Sequence, residues 1–436
     1  MDYKSKVITV EEAVALVKSG DVIVTGLGAG EAGAFMGQLH TAFEKGVSDV
    51  IISNCLPTHP SQLYDEKYAD NFRIAGWFFA PQMRKAHANG NMAYIPNHLH
   101  LAATKRLFHK KPNIYVGVAT MPDKHGYVSL SVDNTYATRM MEEADIVILE
   151  INPNMPYTFG DIQVRVEDVD YFVEVDYMPP VVADIPFTEK DQKIASFIAP
   201  MVEDGSCIQL GIGGIPNAVA YALEDKKDLG VHTEMLTTSM VRLAKKGVIT
   251  GRKKQINRGK MVATFAMGEP DLYEFMDYNP SVEIRDGAWV NDPYTIAQND
   301  NMVSINTSLE VDLTGQCASE SLGSRQFSGT GGQSDTAVGA QMSKNGKSII
   351  ALYSTAMVRG EDGEKHEVSK IVPQLMPGAA VTLSRNDVDR VVTEYGVAEL
   401  RGTDLIERVE RLIEIAHPKF REQLYEDAVR VGILGK

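Results

Sequence analysis

Cysteine is scarce in this chain of 436 residues: there are three, Cys55, Cys207 and Cys317, too far apart to form a CxxC pair or a disulfide framework. That excludes a disulfide-built secreted scaffold and fits a reducing cytoplasm. No apolar stretch approaches the length needed to cross a bilayer, and Met1-Asp2-Tyr3-Lys4 leads into an amphipathic segment without the apolar centre of a signal peptide. A protein neither exported nor embedded in a membrane is expected. Runs of lysine or arginine are also missing. With 43 basic against 58 acidic side chains the formal net charge is −15, which repels polyanions at long range, so no nucleic-acid partner is expected. His98-x-His100 is a suggestive metal pair, but it has no evident third ligand, and no metal site is expected. What is present, 44% hydrophobic and 23% charged residues, is the composition of a globular protein, and the length favours two domains over one.

One structural phrase occurs twice. Apolar residues at helical spacing over 10–18 lead to a turn at Gly20-Asp21, a strand at Val22-Ile23-Val24-Thr25 and the loop Gly26-Leu27-Gly28-Ala29-Gly30. Later, a helix over 195–202, a turn at Gly205 and a strand at Cys207-Ile208-Gln209-Leu210 lead to the loop Gly211-Ile212-Gly213-Gly214. Gly20, Gly26 and Gly28 match Gly205, Gly211 and Gly213 one for one. The chain is therefore read as α/β, two tandem similar open domains with mainly parallel sheets. Further apolar runs over 49–52, 114–118, 146–149, 348–352 and 380–383 supply strands covered on both faces. The proline-rich stretch 177–186 is the linker, giving domains of 1–185 and 186–436. The end of the chain, 405–431, reads as an amphipathic helical region broken at His417-Pro418.

Glycine between a strand and a helix lets backbone approach a ligand, and the free N–H groups of the helix attract anionic oxygen. The first loop contains a formal GxGxxG at Gly28, Gly30 and Gly33, but the next strand ends in Asn54 where a dinucleotide site wants an acid, so NAD binding is disfavoured. The second loop lacks the third dinucleotide glycine and could be only a tight turn. A third cluster, Gln326 to Asp335 with Gly329, Gly331 and Gly332, could be a surface loop or an oxyanion site. Gly346-Lys347-Ser348 lacks the first glycine of a Walker A loop, since Gln341 stands there, and reads as a turn.

Three segments, Gly211 to Val219, Leu229-Gly230-Val231-His232-Thr233-Glu234-Met235 and Gln326 to Asp335, resemble the class I CoA-transferases. The likeness is to the 4-hydroxybutyrate and butyryl-CoA:acetate CoA-transferases, grouped with acetyl-CoA hydrolase/transferases. Further matching stretches are Pro122 to Tyr127, Ser369 to Pro373 and Val392 to Ala398. The resemblance implies a homodimer or dimer-based oligomer, with acyl-CoA and small carboxylic acids as partners and no permanently bound cofactor. It also implies catalytic roles for Glu234, Asn291 and Gly331, with Gly211, Ile212, Gly213, Gly214, Ile215, Gly331 and Gly332 approaching CoA. Two positions depart from the pattern: Thr238 stands where relatives commonly carry aspartate, and Met357 where many have lysine.

The chemistry needs such a glutamate. Exchange of CoA through free acid would discard the thioester's free energy, so a carboxylate of the enzyme must carry the activated state. With a reference pKa of about 4.3 a glutamate is ionised at neutral pH and can attack a thioester carbonyl. The expected function is ping-pong transfer of CoA between butyryl-CoA or 4-hydroxybutyryl-CoA and acetate through a glutamyl-CoA thioester. Acyl-CoA hydrolysis and a non-catalytic CoA or sugar-phosphate sensor are the alternatives.

Overall fold

A computed structural model describes residues 3–360 and 363–435. They form two compact units. The first takes the chain up to Ala183 together with Thr233–Val241 and Lys260–Asp292; the second takes Asp184–His232, Arg242–Gly259 and the chain from Pro293 onward. The linear division expected near residue 186 meets this partition at its first crossing, but the partition is not linear. Two later segments return to the first unit because their strands find ladder partners there: Val282–Ile284 pairs with Phe159–Gly160, and Met235–Leu236 with Phe265–Ala266. Glu234 and Asn291 accordingly belong to the first unit.

The first unit is built on seven strands in the order Tyr171–Glu174, Ile146–Ile151, Ile114–Ala119, Val22–Thr25, Val50–Ser53, Phe72–Gly76 and Met92–Tyr94, every neighbouring pair parallel. Runs such as Val22-Ile23-Val24 are apolar without alternation because both faces are covered; all three side chains are fully buried. Phe35, Met36 and Leu39 pack on this sheet with Ile23, Ile52 and Ile74 to make its core.

The second unit repeats the plan with Gly396–Glu399, Arg390–Thr393, Lys347–Ala351, Met302–Thr307, Cys207–Leu210 and Gly230–His232 in that order, parallel except for the first pair. In both units the strand before the glycine loop is flanked by the next strand of its sheet on one side and by a much later one on the other. Each loop therefore leaves the carboxyl end of its sheet at the point where strand order reverses, the place where open α/β sheets bind ligands.

The expected helix over 10–18 is shorter, Val10–Ala15, held by a capping box between Thr9 and Glu12. The helix expected over 195–202 begins earlier, at Glu189, behind a Thr188–Asp191 capping box, and ends at Ile198. The run 380–383 forms no strand; Leu383 makes only an isolated bridge to Cys317. The C-terminal region is two helices, Leu405–Ile415 and Arg421–Arg430, separated at Pro418.

Candidate active site

Glu234 sits on a strand-like segment gripped by backbone. The Thr233 N–H donates to the Val262 carbonyl (3.0 Å), and the Glu234 carbonyl accepts the N–H groups of Thr264 (2.9 Å) and Phe265 (3.1 Å). The side chain is half-buried. Asn291 is fully buried and directs its Nδ2 to Glu234 Oε2 at 3.2 Å. It reaches that position as the C-cap of the short helix Gly287–Val290, which Asp286 opens by accepting the Ala288 N–H. A Cβ on Gly287 would stand 2.4 Å from the Thr135 carbonyl oxygen, so the helix can seat this deeply only on glycine. The structure thus brings together two of the residues to which the resemblance gives catalytic roles. Cys55 shares the field: burial above all, then the charges of Glu234 and Asp133, push its thiol well up.

In the second unit the loop 211–214 follows Leu210 and runs into the helix Gly214–Ala222. Gly213 holds φ +119°, a conformation L side chains rarely adopt. Ile212 is 56% exposed, and Gly211, Gly213 and Gly214 are partly exposed, so the loop backbone is open to a ligand. Ile215 is buried and anchors the first turn, and Pro216 costs nothing there because its missing N–H would have no intrahelical partner. Gly214 is fixed by the buried carboxylate of Asp191, which would lie 2.9 Å from a Cβ at that position. Asp191 accepts the Thr188 N–H (2.6 Å), the Thr188 hydroxyl (2.7 Å) and the Tyr353 hydroxyl (2.6 Å).

Gly331, at φ +56°, and Gly332 precede the helix Gln333–Met342. Gln333 Nε2 donates to the Thr307 carbonyl (2.7 Å) at the end of the neighbour of Cys207–Leu210, so both glycine clusters stand at the carboxyl edge of one sheet. Lys370 lies on the same unit, its amine 3.3 Å from the Ser308 carbonyl. Burial brings it down to about 8, against the opposing pull of Glu394 and Glu310.

The first glycine loop differs from the second in a way its sequence hides. The N-terminus of its helix Gly33–Gln38 is occupied by the fully buried Glu150, which accepts the N–H groups of Ala34 (3.2 Å) and Phe35 (2.6 Å) and the Tyr177 hydroxyl (2.7 Å). Glu31, equally buried, accepts Asn54 Nδ2 and the N–H groups of Thr58 and His59. An internal carboxylate stands where a phosphate would bind, which argues against reading the formal GxGxxG as a dinucleotide site. Neither acid carries a sequence signal, because their partners come from distant segments. Asp191 does: Thr188-x-x-Asp191 is a capping-box spacing.

Of the two departures, Thr238 supplies an acceptor: its Oγ1 takes the Glu269 N–H at 2.9 Å. Met357 lies 60% exposed on the hairpin strand Thr355–Arg359, opposite Glu367. No helix among the described residues is long and apolar enough to cross a membrane.

The chain matches the model of the acetyl-CoA hydrolase/transferase N-terminal domain over residues 1–186 and that of the C-terminal domain over 268–428. It is 41% identical over 432 residues to the succinyl-CoA:cyclohexane-1-carboxylate CoA transferase of Geobacter metallireducens, covering 99% of this chain and 97% of that one. It is also 41% identical to the 4-hydroxybutyrate coenzyme A transferase of Clostridium kluyveri, covering 98% and 97%. Among solved structures, RipA from Yersinia pestis superimposes with a TM-score of 0.91 at 34% identity, covering 99% of both chains. The glycine loops at two switch points, the Glu234–Asn291 pair and these likenesses agree: the chain belongs to the acetyl-CoA hydrolase/transferase family of class I CoA-transferases.

Proposed function

We propose that this CoA-transferase moves CoA between butyryl-CoA or 4-hydroxybutyryl-CoA and acetate, with Glu234 as covalent nucleophile. The observation that carries the reading is the hydrogen bond from the buried Asn291 amide to the Glu234 carboxylate, which aims a donor at the atom that must attack. Relatives acting on 4-hydroxybutyrate and butyrate support this acid pair.

A carboxylate oxygen of Glu234 attacks the thioester carbonyl; the C–S bond breaks, giving an acyl-glutamyl anhydride and CoA thiolate. The thiolate then attacks the glutamyl carbonyl, the C–O bond to the acyl group breaks, and the first acid leaves as carboxylate. Acetate reverses both steps and departs as acetyl-CoA, and no proton is consumed. Each tetrahedral intermediate carries an oxyanion. Asn291 Nδ2 is the side-chain donor for it, and the N–H groups of Gly213, Gly214 and Gly331 are the backbone donors, each donor contributing on the order of 3 kcal/mol. Gly211 to Ile215 and Gly332 approach CoA in this reading, and the enzyme works as a homodimer in the cytoplasm without a permanent cofactor. The division into halves of 1–185 and 186–436 belongs to the same reading, with Glu234 on a segment that folds back to the first unit.

The test is release of CoA from butyryl-CoA with and without acetate. Acetate-dependent formation of acetyl-CoA is expected. Release at the same rate without acetate would identify a hydrolase, and tight CoA binding with no turnover a sensor.

A further inference from the structure

Residues 132–135 touch the segment whose backbone holds Glu234 and the helix that ends at Asn291. The Val132 carbonyl accepts the Ala266 N–H (2.8 Å), and the Asn134 N–H donates to the Thr264 carbonyl (2.8 Å), on the segment that grips Glu234. The Asn134 carbonyl accepts the N–H of Gly287 (3.0 Å), first residue of the helix that ends at Asn291. Between these backbone contacts the Asp133 side chain turns to the first glycine loop. Its Oδ2 accepts the Leu27 N–H at 2.7 Å and its Oδ1 the Thr135 N–H at 2.8 Å. A Cβ on Gly30 would stand 2.7 Å from the Asp133 Cβ, so loop and carboxylate are in closest contact.

We propose that Asp133 is a positioning residue for CoA transfer: as carboxylate it clamps the first glycine loop to the segment that aligns Glu234 with Asn291, and protonation loosens the clamp and lowers kcat. The proposal rests on the reading of Glu234 as nucleophile. Both carboxylate oxygens accept backbone N–H groups, and a proton on either turns an acceptor into a donor and removes the charge that strengthens both bonds. Burial pushes the Asp133 carboxyl up to about 6, with the bonds from Leu27 and Thr135 opposing. The titratable groups that feel its charge, Tyr115, Tyr136 and Cys55, are all pushed upward by burial, and the His59 ring packs on the same loop at Gly33 and lies 3.4 Å from Glu31. Glu234 and Asp133 both act on the Cys55 thiol. Further along the loop Glu31 is engaged with Thr58 and His59, and Glu150 reaches Ala34 and Phe35 from the strand Ile146–Ile151.

The experiment measures kcat and KM for butyryl-CoA and acetate between about pH 5 and 8 for the wild-type enzyme and Asp133→Asn, with thermal melting alongside. The amide keeps the size but can accept only one of the two N–H groups. Expected for wild type is an acid limb in kcat with its midpoint near 6. Asp133→Asn should lose that limb, with kcat at neutral pH at least about tenfold lower, KM for butyryl-CoA within about threefold, and melting unimpaired. An Asp133→Asn profile that retains the wild-type limb overturns the proposal. If the variant does not fold, single-turnover formation of the Glu234 adduct in the wild type decides: a midpoint near 6 supports the clamp, and one below about 5, an ordinary carboxylate's, overturns it. A wild-type enzyme that forms no adduct sinks the nucleophile reading instead, so the two failures are distinct.

Discussion

Asn291 donates its side-chain N–H to Glu234 Oε2 across 3.2 Å while the backbone behind Glu234 is held by Thr264 and Phe265. Glu234 is therefore restrained at both ends, and in the proposed mechanism the Asn291 amide that restrains it also serves the oxyanion formed during attack. Replacing Asn291 by alanine is expected to lower kcat by about two to three orders of magnitude, with a much smaller change in KM. Asn291→Asp should be at least as damaging, because a second carboxylate beside Glu234 disfavours the ionised nucleophile. Steady-state kinetics with butyryl-CoA and acetate checks both.

In the proposed mechanism the second-unit loops act through backbone geometry. Gly213 at φ +119° and Gly331 at φ +56° hold backbone conformations that L side chains rarely adopt. Alanine at either position adds on the order of 1–3 kcal/mol of backbone strain. The expected outcome is a raised KM for acyl-CoA at Gly213→Ala and a lowered kcat at Gly331→Ala, with the melting temperature reporting the strain separately.

Glu150 makes the complementary case, a carboxylate that serves structure. Glu150→Ala strips the acceptor from Ala34, Phe35 and Tyr177 inside the core. Each orphaned donor costs about 1–3 kcal/mol, so a strong fall in the denaturant midpoint is expected. An unchanged midpoint would mean the first loop does not depend on its internal carboxylate.

Much of this architecture was legible in the residues. Val22 to Thr25, Ile114 to Val118 and Ile146 to Leu149 read as strands because burial on both faces leaves apolar runs, and the strands observed, Ile114–Ala119 and Ile146–Ile151, extend them by one and two residues. Met302–Thr307, central in the second sheet, did not: Ser304 and Asn306 bond Thr336, and the Ile305 N–H and Asn306 bond Gln209, so a buried polar network gives the strand a loop's composition. The run 380–383 misleads in the opposite sense. It is apolar, yet the Thr382 hydroxyl goes to Glu320 and its carbonyl to Ser334, which leaves no ladder. At the site, Glu234 stood out only through resemblance, one acid among 58. Asp133 carried no signal, since Leu27, its partner, is brought to it by the sheet and not by spacing.

If Asp133 positions the site as proposed, stability and turnover should depend on pH in opposite senses. Its carboxyl titrates near 6 when folded and at 3.8 when free, so between those values the native state holds a proton that the unfolded state has lost. Stability contributed by this group is fully present below the lower value and falls as pH rises through the higher one, by about 3 kcal/mol in all. Activity should rise over the same interval. Denaturant midpoints of wild type and Asp133→Asn from about pH 4 to 7 should therefore diverge in favour of the variant as pH increases.

The central claim is that Glu234 holds the activated state in a covalent bond. Mass spectrometry of the enzyme mixed with butyryl-CoA, after borohydride trapping and digestion, reads that bond directly. The modification is expected on the peptide containing Glu234, discharged by acetate and absent from Glu234→Ala, which should also lose exchange. An unmodified Glu234 peptide during active turnover, or full exchange by Glu234→Ala, would contradict it.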